Sequence, residues 1–113
     1  MPKPNRGEIW TVDLNPTIGH EQAGKRPALV VSVDSFNQSA AELAIVLPLT
    51  SRAKGIRSHV EVGKGEAGLK TVSYIKCEDV RSVSTKRLSR RLGLVSQTTM
   101  DAVEDILRIL MGL

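Results

Sequence analysis

No connection between the strand-like segments of this chain is long enough to carry a crossover helix, and that restricts the fold more than any other feature. Glu8 to Leu14 alternates, with Trp10, Val12 and Leu14 on one face and Ile9, Thr11 and Asp13 on the other. Asn15-Pro16 breaks that strand, and Thr17 to Lys25 reads as a polar, glycine-containing loop. Ala28-Leu29-Val30-Val31 is continuously apolar, as expected of a strand covered on both faces. Ala44 to Leu49 repeats the pattern, and Pro48 within it implies an edge or a bulge. Ser58 to Val62 alternates weakly, Gly63 to Gly68 is a loop, Thr71 to Cys77 is another strand, and Leu88 to Val95 is a last one. Asp34 to Ala41 has room for a turn or two of helix. Many short strands joined by glycine and proline turns predict a mainly β chain, a small barrel.

The C-terminal segment has a different period. After Ser96, a candidate N-cap, Met100, Val103, Leu107 and Leu110 recur at three- and four-residue spacing, and Ile106 and Ile109 widen the stripe. Asp101, Glu104, Asp105 and Arg108 form the opposite, solvated face. The helix is expected to pack on the barrel, with any apolar remainder open to a partner or a second copy. The chain has 113 residues, of which 41% are hydrophobic, so residues 1–113 are expected to form a single domain with an ordinary core.

Composition narrows the function. No apolar run approaches the length of a membrane-spanning helix, and Met1 to Arg6 does not resemble a signal peptide, so a cytoplasmic protein is expected. A single cysteine, Cys77, excludes an internal disulfide and a cysteine-based zinc site, and its strand-like setting suits a small buried residue. With only His20 and His59 as histidines, no metal site and no cofactor is expected. Sixteen Lys and Arg against twelve Asp and Glu give a net charge of +4, with a pI near 9.6, which favours a polyanionic partner. Trp10, Phe36 and Tyr74 are the only aromatics, too few for a long base-stacking platform.

Three clusters carry chemically useful side chains. Gly19 to Pro27 places His20, Glu21, Gln22, Lys25 and Arg26 on a loop that ends at a buried strand. Pro27 restricts Arg26 to an extended conformation, and a guanidinium so held presents a planar fork to a phosphate. The same residues also suit a solvated loop in which Arg26 pairs with Glu21. Pro48-Leu49-Thr50-Ser51-Arg52 puts hydroxyls and a cation at a strand end, where they bind an oxyanion or simply cap the strand. Lys76-Cys77-Glu78, read as strand, sets Lys76 and Glu78 side by side with Cys77 opposite, as an acid–base pair or a surface ion pair, the latter being commoner. Arg81, Lys86, Arg87, Arg90 and Arg91 follow as a basic stretch, either a solvated rim or part of an RNA path.

The order of these clusters resembles a known family. Arg6-Gly7-Glu8-Ile9-Trp10, Asp13 to Gln22 and Lys25 to Val31 resemble the N-terminal signature of the MazF/PemK/Kid toxins of type II toxin–antitoxin systems. Pro48-Leu49-Thr50-Ser51 resembles their second motif, and Lys76-Cys77-Glu78 with Arg81-Ser82 falls where a third is expected. The resemblance spans essentially the whole chain. It implies an SH3-like β-barrel with a C-terminal helix, usually homodimeric. It also implies a sequence-specific endoribonuclease that cuts single-stranded regions of messenger RNA, arrests growth and is held inactive by a cognate antitoxin.

By that similarity Arg26 corresponds to the catalytic arginine and Thr50 to the threonine that works with it. Ser51 adjoins the same phosphate, and His20 and Glu21 match loop positions implicated in activity or RNA binding. Gln22, Lys25, Arg52 and Arg81 are expected to bind RNA beside them. Metal-free cleavage through the ribose 2′-hydroxyl gives a 2′,3′-cyclic phosphate and a 5′-hydroxyl. It needs a base, an acid and positive charge on the phosphate oxygens. Kid-like members have an Arg-Cys-Asp triplet where this chain has Lys76-Cys77-Glu78, so Lys76 and Glu78 rank below Arg26 and Thr50, and the general base is unassigned. Two alternatives remain: a non-enzymatic toxin that poisons a protein target such as DNA gyrase, as the similarly folded CcdB does, and an inactive RNA-binding relative.

Overall fold

A computed structural model of the chain describes residues 3–15, 19 and 24–113. Among these residues seven strands form one antiparallel sheet: β1 (Glu8–Asp13), β2 (Lys25–Val30), β3 (Leu43–Thr50), β4 (His59–Val62), β5 (Ser73–Lys76), β6 (Arg81–Ser84) and β7 (Leu88–Leu94). Helix α1 is the single turn Asp34–Asn37, and α2 is the long C-terminal helix Gln97–Met111. The expected mainly β architecture with a terminal helix is what the chain adopts. The sheet order is β4-β5-β3-β2-β1-β7, with β6 on the other half of the β3 edge.

Alternation along the apolar strands feeds two cores. Leu29, Leu47, Leu49, Ile75 and Ile9 point to one side of the sheet and join Met100 and Val103 of α2. Ala28, Val30, Ala44, Val46, Val12 and Leu88 point to the other. The continuous apolar runs of β2 and β3 are therefore covered on both faces, as their composition predicts. Each fully buried branched aliphatic side chain contributes about 1.5–3 kcal/mol, so these two clusters dominate stability.

Pro48 is neither at an edge strand nor at a bulge. The β3 strand is central, pairing with β2, with β6 up to Val46 and with β5 from Leu49 onward. The Ile45 carbonyl accepts from the N–H of Val31, the residue just after β2, at 2.9 Å, so by alternation the backbone of Pro48 faces the opposite side. That side is the gap where β3 exchanges β6 for β5, and there a missing N–H costs nothing.

The ends of the sheet path meet through backbone packing. The 3₁₀ turn Glu66–Gly68, which follows β4, lies against β7. A Cβ on Gly93 would stand 2.5 Å from the Ala67 carbonyl carbon, and one on Gly68 only 2.2 Å from the Leu92 oxygen. Only glycine allows this approach, and Gly68 also has φ +74°. The same turn grips α2: Glu66 Oε2 accepts from the Thr99 hydroxyl at 2.7 Å and from the Ser96 backbone N–H at 3.2 Å. Ser96 is the expected N-cap, its hydroxyl oxygen accepting from Thr99 N–H at 3.2 Å. Gly112, left-handed at φ 70°, ends the helix, with Leu113 N–H donating to the Arg108 carbonyl at 2.9 Å. Met100 and Val103 are buried, whereas Ile109, Leu110, Met111 and Leu113 are exposed. Glu104 is less solvated than its helical face suggests, because Arg6 Nη2 donates to it at 2.8 Å.

Glu8 is a buried carboxylate with a full set of donors. Its Oε1 accepts from the Asn5 backbone N–H at 2.7 Å and from the Trp10 indole at 3.0 Å, and Oε2 accepts from Arg91 Nε at 2.6 Å. Burial pushes its pKa up, but the Asn5 N–H, Arg91 and Trp10 outweigh it and hold the group below the ordinary value of 4.5. A lowered folded-state pKa adds stability above the unfolded value and loses it as pH falls through the folded one. Glu8→Gln is thus expected to cost about 1–3 kcal/mol at pH 7. It should also flatten the loss of stability below pH 4.5, read from urea melts across that range.

Candidate ribonuclease site

The site forms where β2 begins and β3 ends. Ala28 pairs with Pro48 and Leu29 with Leu47, and two further residues of the same register bring Arg26 opposite Thr50. Both side chains line a depression of about 290 Å³ together with Ser51, Gly68, Lys70 and Leu92. They also line an adjoining one of about 380 Å³ with Ser51, Arg52 and Lys54. Arg26 is exposed, although the chain behind it from Ala28 is fully buried, so a rigid strand carries it to the surface. Thr50 is buried at the last position of β3, and its hydroxyl oxygen accepts from the Arg52 backbone N–H at 3.2 Å. That leaves the hydroxyl proton to donate to an anionic oxygen. A fork-shaped cation and a hydroxyl donor thus stand between two adjoining depressions, with Lys70 lining one and Arg52 and Lys54 the other.

Of the other residues expected beside this pair, Ser51 and Arg52 belong to it directly. His20, Glu21 and Gln22 lie outside the described residues. Lys25 opens β2, rather than closing a loop, and lines a different depression with Lys86 and Arg87. The predicted pairing of Lys76 with Glu78 does not occur. The strand ends at Lys76, and Cys77–Asp79 turns as a 3₁₀ helix, which swings the two side chains apart. Lys76 is buried with its Nζ 3.8 Å from Asp79 Oδ2, and Arg81 Nη2 donates to both Asp79 oxygens at 2.9 and 2.7 Å. Arg81 therefore belongs, with Lys76, to an ion cluster around Asp79. Glu78 faces β4, where it accepts from the Ser58 hydroxyl at 2.7 Å and lies 2.8 Å from His59 Nε2. Burial raises its pKa, but the Ser58 hydroxyl, its own backbone N–H and His59 bring it below 4.5. Cys77 is fully buried, and burial together with the Glu78 carboxylate pushes its thiol up to about 12, which makes it a poor nucleophile.

Several site residues were not visible in the sequence. Lys70 and Gly68 come from the segment after β4, and Leu92 from β7. Thr50 pairs directly with Tyr74, and Tyr74 with Glu61, so the three share one face in a row across β3, β5 and β4. Strand alternation gives each residue a face, but pairing partners this far apart leave no local signal. The basic stretch is divided as well: Arg91 holds Glu8, Arg87 binds the carbonyls of Asp13 and Asn15, and Arg90 is exposed. Among the described residues, no three His, Cys, Asp or Glu side chains are grouped to hold a metal ion. No helix among them is long and apolar enough to cross a membrane.

Residues 5–111 match the family described as PemK-like, MazF-like toxin of type II toxin–antitoxin system. The chain belongs to this family. Among its relatives, Endoribonuclease PemK of Escherichia coli is 39% identical over 87% of this chain and 74% of its own length. Endoribonuclease MazF9 of Mycobacterium tuberculosis is 38% identical over 92% of each. The crystal structure of MazF from Deinococcus radiodurans is 30% identical, covers both chains completely and superposes with a TM-score of 0.88. A MazE–MazF complex from the same organism gives 0.81 at 30% identity, covering 100% of this chain and 99% of that one. The chain is thus a toxin of the PemK/MazF kind, and two such relatives are named endoribonucleases.

Proposed function

We propose that this PemK/MazF toxin is a sequence-specific endoribonuclease that cuts single-stranded RNA, chiefly messenger RNA, at a phosphate held by Arg26 and Thr50. The observation that carries the reading is the register that sets Arg26 opposite Thr50 at the mouth of shared depressions. The ribose 2′-oxygen attacks phosphorus as its proton passes to a base. The P–O5′ bond breaks, and the leaving oxygen takes a proton, giving a 2′,3′-cyclic phosphate and a 5′-hydroxyl. Arg26 neutralises the non-bridging oxygens as charge builds on them and is the candidate acid. Thr50 donates its hydroxyl to the same phosphate. The reaction needs no metal, because the cationic side chains supply the charge. Glu21 and His20, which precede β2 in the sequence, are candidates for the base and for RNA contacts, as is Gln22 for the latter. The engagements of Lys76, Glu78 and Arg81 support a role in holding the groove wall rather than in proton transfer.

The other parts of the proposal are a cytoplasmic site of action, an antitoxin that covers the basic depressions with an acidic segment, and a homodimer. Exposed Ile109, Leu110, Met111 and Leu113 leave apolar surface that a second copy could cover. Purified protein incubated with a long RNA in EDTA tests the reading. Discrete cuts ending in 5′-hydroxyls are expected, from a preparation with dimer mass in light scattering. Cleavage that vanishes in EDTA and returns with a divalent ion would refute the metal-free step. Gyrase-dependent DNA breaks without RNA cuts would favour a protein poison instead.

A further inference from the structure

On the β1–β7 side of the same sheet end, a depression of about 380 Å³ is lined by Asp13, Asn15, Lys25, Lys86, Arg87 and Ser89. Three cations face one carboxylate there, and that carboxylate already accepts from the Asn15 backbone N–H at 3.1 Å. Arg87 is fixed in place, its Nη1 donating to the Asp13 carbonyl at 3.3 Å and to the Asn15 carbonyl. Lys86 is exposed on the turn Thr85–Arg87, which Ser84 caps by accepting from the Lys86 backbone N–H at 3.2 Å. Asp13 pairs with Lys25, the residue next to Arg26 in β2. Neighbouring residues of a strand point to opposite faces, so the two basic depressions flank the end of β2. They lie on opposite faces of the sheet, so a single RNA strand reaches both by passing around the end of β2.

We propose that this depression is a second phosphate-binding subsite for the single-stranded RNA whose cleaved phosphate sits at Arg26 and Thr50. The inference rests on the ribonuclease reading above. Its described lining has three cations against one carboxylate, with an amide and a hydroxyl but no apolar side chain, which suits a sugar–phosphate backbone. A peptide partner would draw its affinity from buried aromatic or aliphatic anchors, and the described lining offers them no apolar contact. The subsite positions the RNA by charge and reads no base.

Binding of a long single-stranded 2′-O-methyl RNA, which lacks the attacking hydroxyl, tests this. Lys86→Gln is expected to weaken binding about tenfold at low salt and to reduce the slope of log K against log salt by ~0.7, the share of one phosphate. Lys64→Gln removes the same charge from the exposed loop after β4 and is expected to leave the slope unchanged. An unchanged slope in Lys86→Gln overturns the subsite. Loss of acidic-peptide binding with an unaltered RNA slope also overturns it and assigns the depression to a protein partner. Wild-type protein that cuts no RNA would remove the ribonuclease reading itself, so the two failures are distinguishable.

Discussion

Replacing Arg26 by alanine is expected to lower the rate of RNA cleavage by about 10²–10³-fold, the usual cost of one preorganised donor to a developing oxyanion. Its guanidinium stands at the surface on a strand whose continuation is buried, so truncation removes the charge without opening a core. The melting temperature should therefore stay near that of the wild type. Arg26→Lys should recover only part of the rate, because an ammonium keeps the charge but not the two-pronged geometry. Single-turnover cleavage of one RNA by the three proteins measures all of this. A rate for Arg26→Ala near that of the wild type would sink the assignment and, with it, the role given to Thr50.

The second large effect concerns the place where the sheet path closes on itself. Gly68→Ala places a Cβ 2.2 Å from the Leu92 oxygen at a backbone angle of φ +74°, adding a steric clash to backbone strain. A loss of about 3 kcal/mol is expected, and with it a fall in melting temperature of roughly 10 °C or more. Gly93→Ala meets the same wall from the other side, 2.5 Å from the Ala67 carbonyl carbon. Gly63, where an added Cβ would have nothing within 4 Å and φ is not positive, is the matched control and should tolerate alanine. Thermal melts of the three variants decide the matter. Equal melting temperatures would mean that the turn and β7 separate at little cost. Gly68 and Leu92 also line the Arg26 depression, so the unstable variants should lose cleavage together with structure.

Much of this was legible in the sequence because burial writes itself into composition. The runs Ala28–Val31 and Ala44–Leu49 announced strands covered on both faces, and Ser96 with the Met100, Val103, Leu107 stripe announced α2. Arg26 and Thr50 were legible through motif order, and the register then explained why two residues so far apart belong together. The short strand Arg81–Ser84 was not, since one buried valine between polar residues carries too little alternation to stand out. The Lys76–Glu78 reading failed because it assumed that the strand continued. The chain turns at Cys77 instead, and nothing in three polar or small residues marks that bend. Lys70 and Tyr74 were missed for a further reason: Lys70 reaches the depression from a segment outside any strand, and Tyr74 is placed by its pairing with Thr50 across the sheet.

Pro48 has a meaning for the folding of this sheet as well as for its final form. A strand with partners on both sides could slide by two residues and keep every side chain on its proper face, so alternation alone does not forbid that error. Any such slide would carry Pro48 out of the space between β6 and β5 and set it against a carbonyl that needs a donor. The imino ring thus works as a stop. It makes the misaligned sheet costlier than the aligned one, and it keeps Thr50 at the height of Arg26.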